Sequence, residues 1–317
     1  MKLVLGTRGS LLAKTQSQIV TDALQQANSG LVIEFKEIKT RGDKKQGTPE
    51  ASKGDKKDWI YELEQEVLAE TIDIAVHSGK DVPSDYEDGT EIMSVLARED
   101  ARDVFIGKKQ GNGERISFAD VPCGASIGTA SLRRQASLRR VRPDLVPVEH
   151  RGNVPTRLKK LDDSTSLSGI VLAKAGIQRL GVQDCIFEEF DPGMMMPAVN
   201  QGILCIQFKT QRSEIRSIIS TICEDETQAR FTAERACVSL LGADCKSSIS
   251  VFAECGPNKS LFLSARVLST DGTQCVEIIR RAGTFTDASK LGETVGNELL
   301  AMGAAQIIEG CRASVMR

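Results

Sequence analysis

The scarce residue types say first what this 317-residue chain is not. Aromatic side chains are few: one Trp, two Tyr and ten Phe, 4% of the sequence. That is poor in the stacking surfaces on which single-stranded nucleic acid is usually held. There are two histidines, His77 and His150. Nine cysteines stand at 123, 185, 205, 223, 237, 245, 255, 275 and 311, with no Cys-x-x-Cys pair. A zinc site of ordinary spacing is therefore not expected, and no metal is assigned. Most of the cysteines are expected to be small buried hydrophobes of a reducing compartment. Charge of one sign is missing too: 41 Lys+Arg face 43 Asp+Glu, a net charge of −2. Bulk charge thus gives no reason to expect a nucleic-acid partner. No apolar run approaches the ~18 residues of a membrane span, so no membrane partner is expected. The opening MKLVLGTRGS has a short apolar run, then an immediate Arg and no cleavage site. It is expected to be neither a signal nor a transit peptide, and the protein to be cytoplasmic.

What is present is ordinary globular material, 40% hydrophobic and 26% charged. At ~150 residues per domain the length suggests two or three domains. Residues 2–6 read as a strand, 11–26 as a helix with Ser10 as N-cap, and 31–38 as a second strand. The polar stretch 40–58 reads as a mobile loop, followed by a helix over 59–70 and a strand over 72–76. This β-α-β-α-β order predicts a parallel, doubly wound sheet. The pattern restarts after residue 100, with strands at 104–106, 126–128, 145–149 and 169–173 and helices between them. A strand at 203–208 has nowhere to pair except the first sheet, so the chain is expected to cross back. From about 225 a helix, three strands and two closing helices read as an α+β domain, with Asp271-Gly272 in a hairpin turn.

Four clusters could carry chemistry. Between 131 and 160, nine cations face Asp144 and Glu149 alone. Arg133-Arg134 follow Gly128-Thr129-Ala130-Ser131 at a strand-to-helix turn, and Arg151-Gly152-Asn153 stands at the next strand end. A helix start and guanidinium groups both suit carboxylate or phosphate. A solvated helix face is the plain alternative. His77-Ser78-Gly79-Lys80-Asp81-Val82-Pro83 follows a strand, where Asp81 could be an ion pair with Lys80 or a proton-transfer group. Arg8-Gly9-Ser10 repeats the helix-start logic, with a simple N-cap as its alternative. Cys245 lies past a helix end beside Lys246, either reactive or structural.

Taken together, these clusters resemble the porphobilinogen deaminase (hydroxymethylbilane synthase) family. The resemblance runs through GTRGS (6–10), TRGD (40–43), DIAVHSGKDVP (73–83), RED-RD (98–103), GTASLRRQ (128–135), RPDL (142–145), RGNVPTRL (151–158), AGIQRLG (175–181), PAVNQG (197–202) and TAERA (232–236). It implies two type II periplasmic-binding-protein-like, doubly wound α/β domains, 1–99 with 200–218 and 103–196, and a C-terminal α+β domain, 222–317. It implies that Cys245 carries a dipyrromethane cofactor through a thioether. Four porphobilinogens would join head to tail onto that primer, with loss of ammonia, and hydrolysis would release hydroxymethylbilane. Asp81 would be the catalytic acid. Arg8, Ser10, Lys80, Thr129, Ser131, Arg133, Arg134, Arg151, Arg157 and Arg179 would bind cofactor or substrate carboxylates, with Gln201 at the domain crossover. The stretch 43–58 would be a lid over the cleft, with Lys56 in it and Trp59 just after it as lid residues. The family suggests a monomer.

The chain departs from the family pattern where Met is usual and Gly79 stands, and where Lys is usual and Ser52 stands. It departs also in the loop, which reads Lys53-Gly54-Asp55-Lys56-Lys57-Asp58-Trp59 without the usual paired glycines and phenylalanine. Around the cysteine, Ala243-Asp244 replaces a Gly pair and Ser248 a proline, and Asp244 should oppose thiolate formation. Two readings of other classes compete: a non-catalytic two-lobed binding module, and a nucleic-acid binder acting through 131–160. Neither gives a reason for Asp81 among arginines together with Cys245.

Overall fold

The computed structural model describes residues 1–45, 57–83, 85–182, 187–242 and 247–316. Strand β1 (Lys2–Thr7) buries Leu3 and Leu5 completely. Helix α1 (Leu11–Ala27) starts at Ser10, whose hydroxyl oxygen accepts from the Ala13 amide at 3.3 Å, as an N-cap serine does. Strand β2 (Val32–Glu37) follows, then a short helix α2 (Arg41–Lys45) where the polar composition suggested only a loop. A reciprocal cap explains it. Thr40 Oγ1 accepts from the Asp43 amide, and the Asp43 carboxylate accepts from the Thr40 amide and hydroxyl. Helix α3 (Lys57–Leu68), strand β3 (Ile74–Ser78), a 3-10 turn over Gly79–Asp81 and strand β4 (Thr90–Val95) complete this part.

The second part runs β5 (Asp103–Gly107), β6 (Ser126–Gly128), α4 (Leu132–Val141), β7 (Val146–Val148), α5 (Val154–Asp163), β8 (Leu167–Ala173), α6 (Lys174–Arg179) and β9 (Glu188–Glu189). The chain then returns as β10 (Leu204–Lys209), which enters the first sheet between β3 and β4. After α7 (Ser213–Ser220) and α8 (Asp225–Leu240) come β11 (Ser248–Cys255), β12 (Ser260–Leu268) and β13 (Cys275–Thr284), an antiparallel meander. Helices α9 (Ala288–Ala301) and α10 (Ala304–Met316) close the chain. Among the described residues no helix is long and apolar enough to cross a membrane.

The first sheet has the order β2-β1-β3-β10-β4 and the second β7-β6-β8-β5-β9. The two orders are the same pattern, and both sheets bury side chains on both faces. Val20 and Leu24 of α1 cover one face of the first sheet, and Leu63 and Val67 of α3 the other. In the second sheet Leu138 of α4 and Leu161 of α5 divide the faces in the same way. The chain thus holds two α/β units of the type II periplasmic-binding-protein kind and an α+β unit after them. The sheets are mixed, not parallel as the element order predicted. β10 is antiparallel to β3 and β4, and β5 to β8 and β9. A strand that arrives from the other unit at the carboxyl edge must run back through the sheet, and element order alone does not reveal that.

That reversal positions the site. Leu204 at the start of β10 lies opposite Ser78 at the end of β3, and Asp103 at the start of β5 lies opposite Ala173 at the end of β8. Both connecting segments therefore pass the carboxyl ends of the strands, where open α/β sheets take their ligands.

One buried ion pair ties these segments to α8 and β11. Arg98 Nη1 donates to Glu234 Oε1 at 2.6 Å, and Arg98 Nε donates to the Gln201 carbonyl at 2.9 Å. Glu234 also accepts from the Asn200 and Ala253 amides at 2.5 and 2.8 Å. The Arg98 and Glu234 side chains are 4% and 0% exposed, so removing either strands its partner without water. Glu234→Ala should destabilise the protein by about 3–5 kcal/mol in urea unfolding, the usual effect of orphaning a buried charge.

Candidate functional site

The turn after β3 is pinned at its first residue. The Gly79 amide donates to the Ile203 carbonyl at 2.8 Å. A Cβ on Gly79 would sit 3.0 Å from both the Cβ and the carbonyl oxygen of Asn200. The close approach of Gly79 to the returning chain presents Lys80 and Asp81 side by side with Gln201. These three line two adjoining cavities.

The larger cavity, about 390 Å³, is also lined by Trp59, Ser131, Arg133, Arg134, Arg157 and Arg235. Ser131 caps α4, its Oγ accepting from the Arg134 amide. The smaller cavity, about 70 Å³, adds Arg8, Ser10, Gln16 and Arg179. Thr129 and Arg151 line neither. Thr129 is buried, its hydroxyl oxygen accepting from the Ser131 amide at 3.3 Å. Arg151 pairs with Glu149. Cys245 and Lys56 lie outside the described residues, but Ser247, two positions past the cysteine, is on the wall of the larger cavity.

The basic cluster is sorted by the fold. Arg139 donates to the Thr270 carbonyl at 2.6 Å and Arg142 pairs with Asp144, so neither serves the cavities. Arg133 and Arg134 share Asp103, which lies 30 residues upstream and was not singled out in the sequence. Arg133 Nη2 and Arg134 Nη2 donate to the two Asp103 oxygens at 2.6 and 2.7 Å. Arg134 Nε adds a third bond at 3.1 Å and Gln201 Nε2 a fourth at 2.8 Å. Burial alone would push the Asp103 carboxyl up, but the two guanidiniums pull it down to about 2. Two cations and one anion leave this group one positive charge.

Two other cations of the larger cavity lack such a partner among the described residues. Among the described residues no carboxylate pairs with Lys80 or Arg157, and Arg157 Nε is spent on the Gly152 carbonyl at 2.7 Å. Burial pushes the Lys80 ammonium down to about 8, and burial with Arg134 and Arg151 nearby pushes Arg157 down to about 10. Five basic side chains and one carboxylate, Asp81, line the larger cavity among the described residues. Gln201 Oε1 is buried with no hydrogen-bond partner. The arrangement is suited to an anion that brings several carboxylates, and it holds one acid in their midst.

Arg235, Asp103 and Gln16 were missed in the sequence. The first two lay within TAERA and RED-RD, but nothing local marks which member of such a motif reaches a cavity. His77 stays out of the site. It is buried, its Nε2 3.0 Å from Gln207 Oε1, and desolvation pushes it down to about 4.

Of the seven described cysteines only Cys205, Cys237 and Cys311 are buried; Cys123 is exposed and the others are half-buried. The expectation of mostly buried thiols fails because Cys255 and Cys275 stand at strand ends, Cys223 past the end of α7 and Cys123 outside any strand or helix. Burial pushes Cys205 and Cys237 up to about 12, which makes them inert.

Comparison with known proteins gives this geometry a context. The family model for the porphobilinogen deaminase dipyromethane cofactor binding domain matches residues 3–217, and that for the porphobilinogen deaminase C-terminal domain matches 228–301. The chain belongs to the porphobilinogen deaminase family. Porphobilinogen deaminase of Syntrophobacter fumaroxidans is 38% identical over 305 residues, 96% of each chain. That of Geobacter sulfurreducens is 39% identical over 308 residues, 97% of this chain and 94% of the relative. Among solved structures, the VFT2 domain of Bordetella pertussis BvgS is similar with a TM-score of 0.44 and 14% identity, over 73% of this chain and 91% of that one.

At Gly79 the returning chain is close: an added Cβ would also stand 3.3 Å from the Ile203 Cβ. Gly79→Ala should destabilise the protein by about 1–3 kcal/mol through overpacking. Thermal unfolding measures it, and an unshifted midpoint would mean that the Asn200–Ile203 segment yields freely.

Proposed function

We propose that this chain is a hydroxymethylbilane synthase, a transferase of tetrapyrrole biosynthesis that joins four porphobilinogens with loss of ammonia and releases the linear product by hydrolysis. The single observation that carries the reading is that, among the described residues, one carboxylate, Asp81, stands on the shared wall of two cavities whose other titratable groups are cations. Each porphobilinogen brings an acetate and a propionate, so the growing chain is a polycarboxylate. Lys80 and Arg157, half-buried and without carboxylate partners among the described residues, fit such a ligand, as does the residual charge of the Arg133–Arg134–Asp103 group. Held by a thioether to Cys245, a dipyrromethane would supply the pyrrole carbon to which the first monomer is joined. Ser247 on the cavity wall is consistent with that attachment point.

Asp81 donates a proton to the leaving amine of porphobilinogen. It then faces the azafulvenium cation this creates, and it accepts the proton that the condensing pyrrole loses. Because Lys80, Asp81 and Gln201 line both cavities, a ring in each would meet at Asp81. Arg8, Ser10 and Arg179 hold carboxylates on the smaller side; Ser131, Arg133, Arg134 and Arg157 hold them on the larger. Arg151 and Thr129, which line neither cavity, are assigned no carboxylate. Lys56 and Trp59 keep the lid role that the family resemblance implies, and Trp59 lines the larger cavity. The three units 1–99 with 200–218, 103–196 and 222–317 act as domains of a cytoplasmic monomer that uses neither nucleic acid nor membrane.

Intact mass tests the reading. The purified chain should carry an increment of about two pyrrole units, absent in Cys245→Ser, and porphobilinogen should add further discrete increments. A chain of bare sequence mass that makes no bilane would refute it. Lys80 adds a pH signature. A lysine pushed down to about 8 loses its proton as pH rises through 8, and with it the grip on a carboxylate. The free-enzyme group appears in kcat/KM, which should fall above pH about 8 by up to tenfold per unit. Lys80→Arg should remove that limb, because a guanidinium stays charged.

A further inference from the structure

Arg8 is read above as a carboxylate binder, yet in the structure it already holds one. Its Nη2 donates to Asp43 Oδ1 at 2.6 Å and its Nε to Asp43 Oδ2 at 3.3 Å. That fills the guanidinium edge that offers two parallel N–H groups to a planar carboxylate. Asp43 is itself fixed, because Oδ2 accepts from the Thr40 hydroxyl at 2.8 Å and the Thr40 amide at 3.3 Å. Burial would push the Asp43 carboxyl up, but Arg8 and Thr40 more than reverse it, so the group stays charged. On its other side the Arg8 guanidinium stacks 4.3 Å from the centre of the Trp59 ring. The ring in turn approaches Gly42 closely, where a Cβ would fall 2.3 Å from Trp59 Cε3. Arg8 is on the wall of the smaller cavity and Trp59 on that of the larger, while Asp43 lines neither.

We propose that Asp43 is an internal competitor for the substrate carboxylate. Without porphobilinogen it holds Arg8 against Trp59; an incoming acetate or propionate takes its place on the guanidinium and draws Arg8 off the indole. Asp43 is thus a positioning residue that sets substrate affinity through Arg8. The inference rests on the carboxylate-binding reading of Arg8. Apparent affinity is the intrinsic affinity multiplied by the fraction of molecules in which the binding group is free. Removing the competitor therefore strengthens binding, whereas a merely structural ion pair would weaken it when broken.

The test uses the cofactor-loaded enzyme and porphobilinogen. Asp43→Asn should lower KM by about three- to tenfold with kcat unchanged or reduced. Trp59 is the only tryptophan in the chain, so emission reports its surroundings alone. In the wild type, mixing with porphobilinogen should change that emission before turnover, and in Asp43→Asn the free enzyme should already show the shifted emission. A KM that rises or stays within twofold of wild type overturns the proposal. If Asp43→Asn does not fold, a wild-type emission that porphobilinogen leaves unchanged overturns it instead. Wild-type protein that makes no bilane would fail the functional reading itself, whereas an active wild type with an unresponsive variant fails only the competitor.

Discussion

A guanidinium taken out of water needs an anion, and two of them side by side need one more urgently, because they also repel each other. The Asp103 carboxylate meets that need for Arg133 and Arg134. Gln201 Nε2 fixes the same carboxylate and donates to the Ala101 carbonyl at 2.6 Å. Through this one group the floor of the larger cavity carries arginine while both connecting segments between the two sheets are held together. Among the described residues, Lys80 and Arg157 lose solvation with no carboxylate in return, and the same poverty that lowers their proton affinity makes them receptive to a ligand that supplies carboxylates.

The topology explains why these groups meet. In each sheet the parallel strands end at one edge and the returning strand begins there, so Gly79–Asp81, Ser131 and Asp103 come from distant stretches to one place. Gly79 lets the turn approach Asn200 and Ile203 closely enough for Lys80 and Asp81 to form a wall between two cavities. The Arg98–Glu234 pair then fixes α8 and β11 to the same crossing point, which brings Arg235, Ser247 and Ile249 to the larger cavity.

Much of this was legible in the residues, and the exceptions share a cause. Ser10 is read as a helix cap from local chemistry and caps α1, and the strand-to-helix turn that ends in Ser131 places the cap of α4. The return of the chain to the first sheet followed from a strand without a nearby partner. Its antiparallel direction did not, since direction depends on where the chain crosses. Helix α2 was hidden because its cap, Thr40 with Asp43, stabilises residues whose composition is that of a loop. The charge count over 131–160 misled in one respect. It treated Arg133 and Arg134 as free, when their counterion comes from Asp103 on another strand. Asp81, Lys80 and Arg157 were found because motif and cavity coincide. Thr129 and Arg151 carry the same motif strength but face elsewhere, which no spacing encodes.

The central claim is that one carboxylate amid desolvated cations performs the proton transfers. Replacing it without changing its shape tests this most directly: Asp81→Asn, with bilane formation and intact mass measured on the same sample. The account predicts a chain that still carries the dipyrromethane increment while kcat falls by about 10²–10⁴. Retained increment with turnover within tenfold of wild type would contradict it.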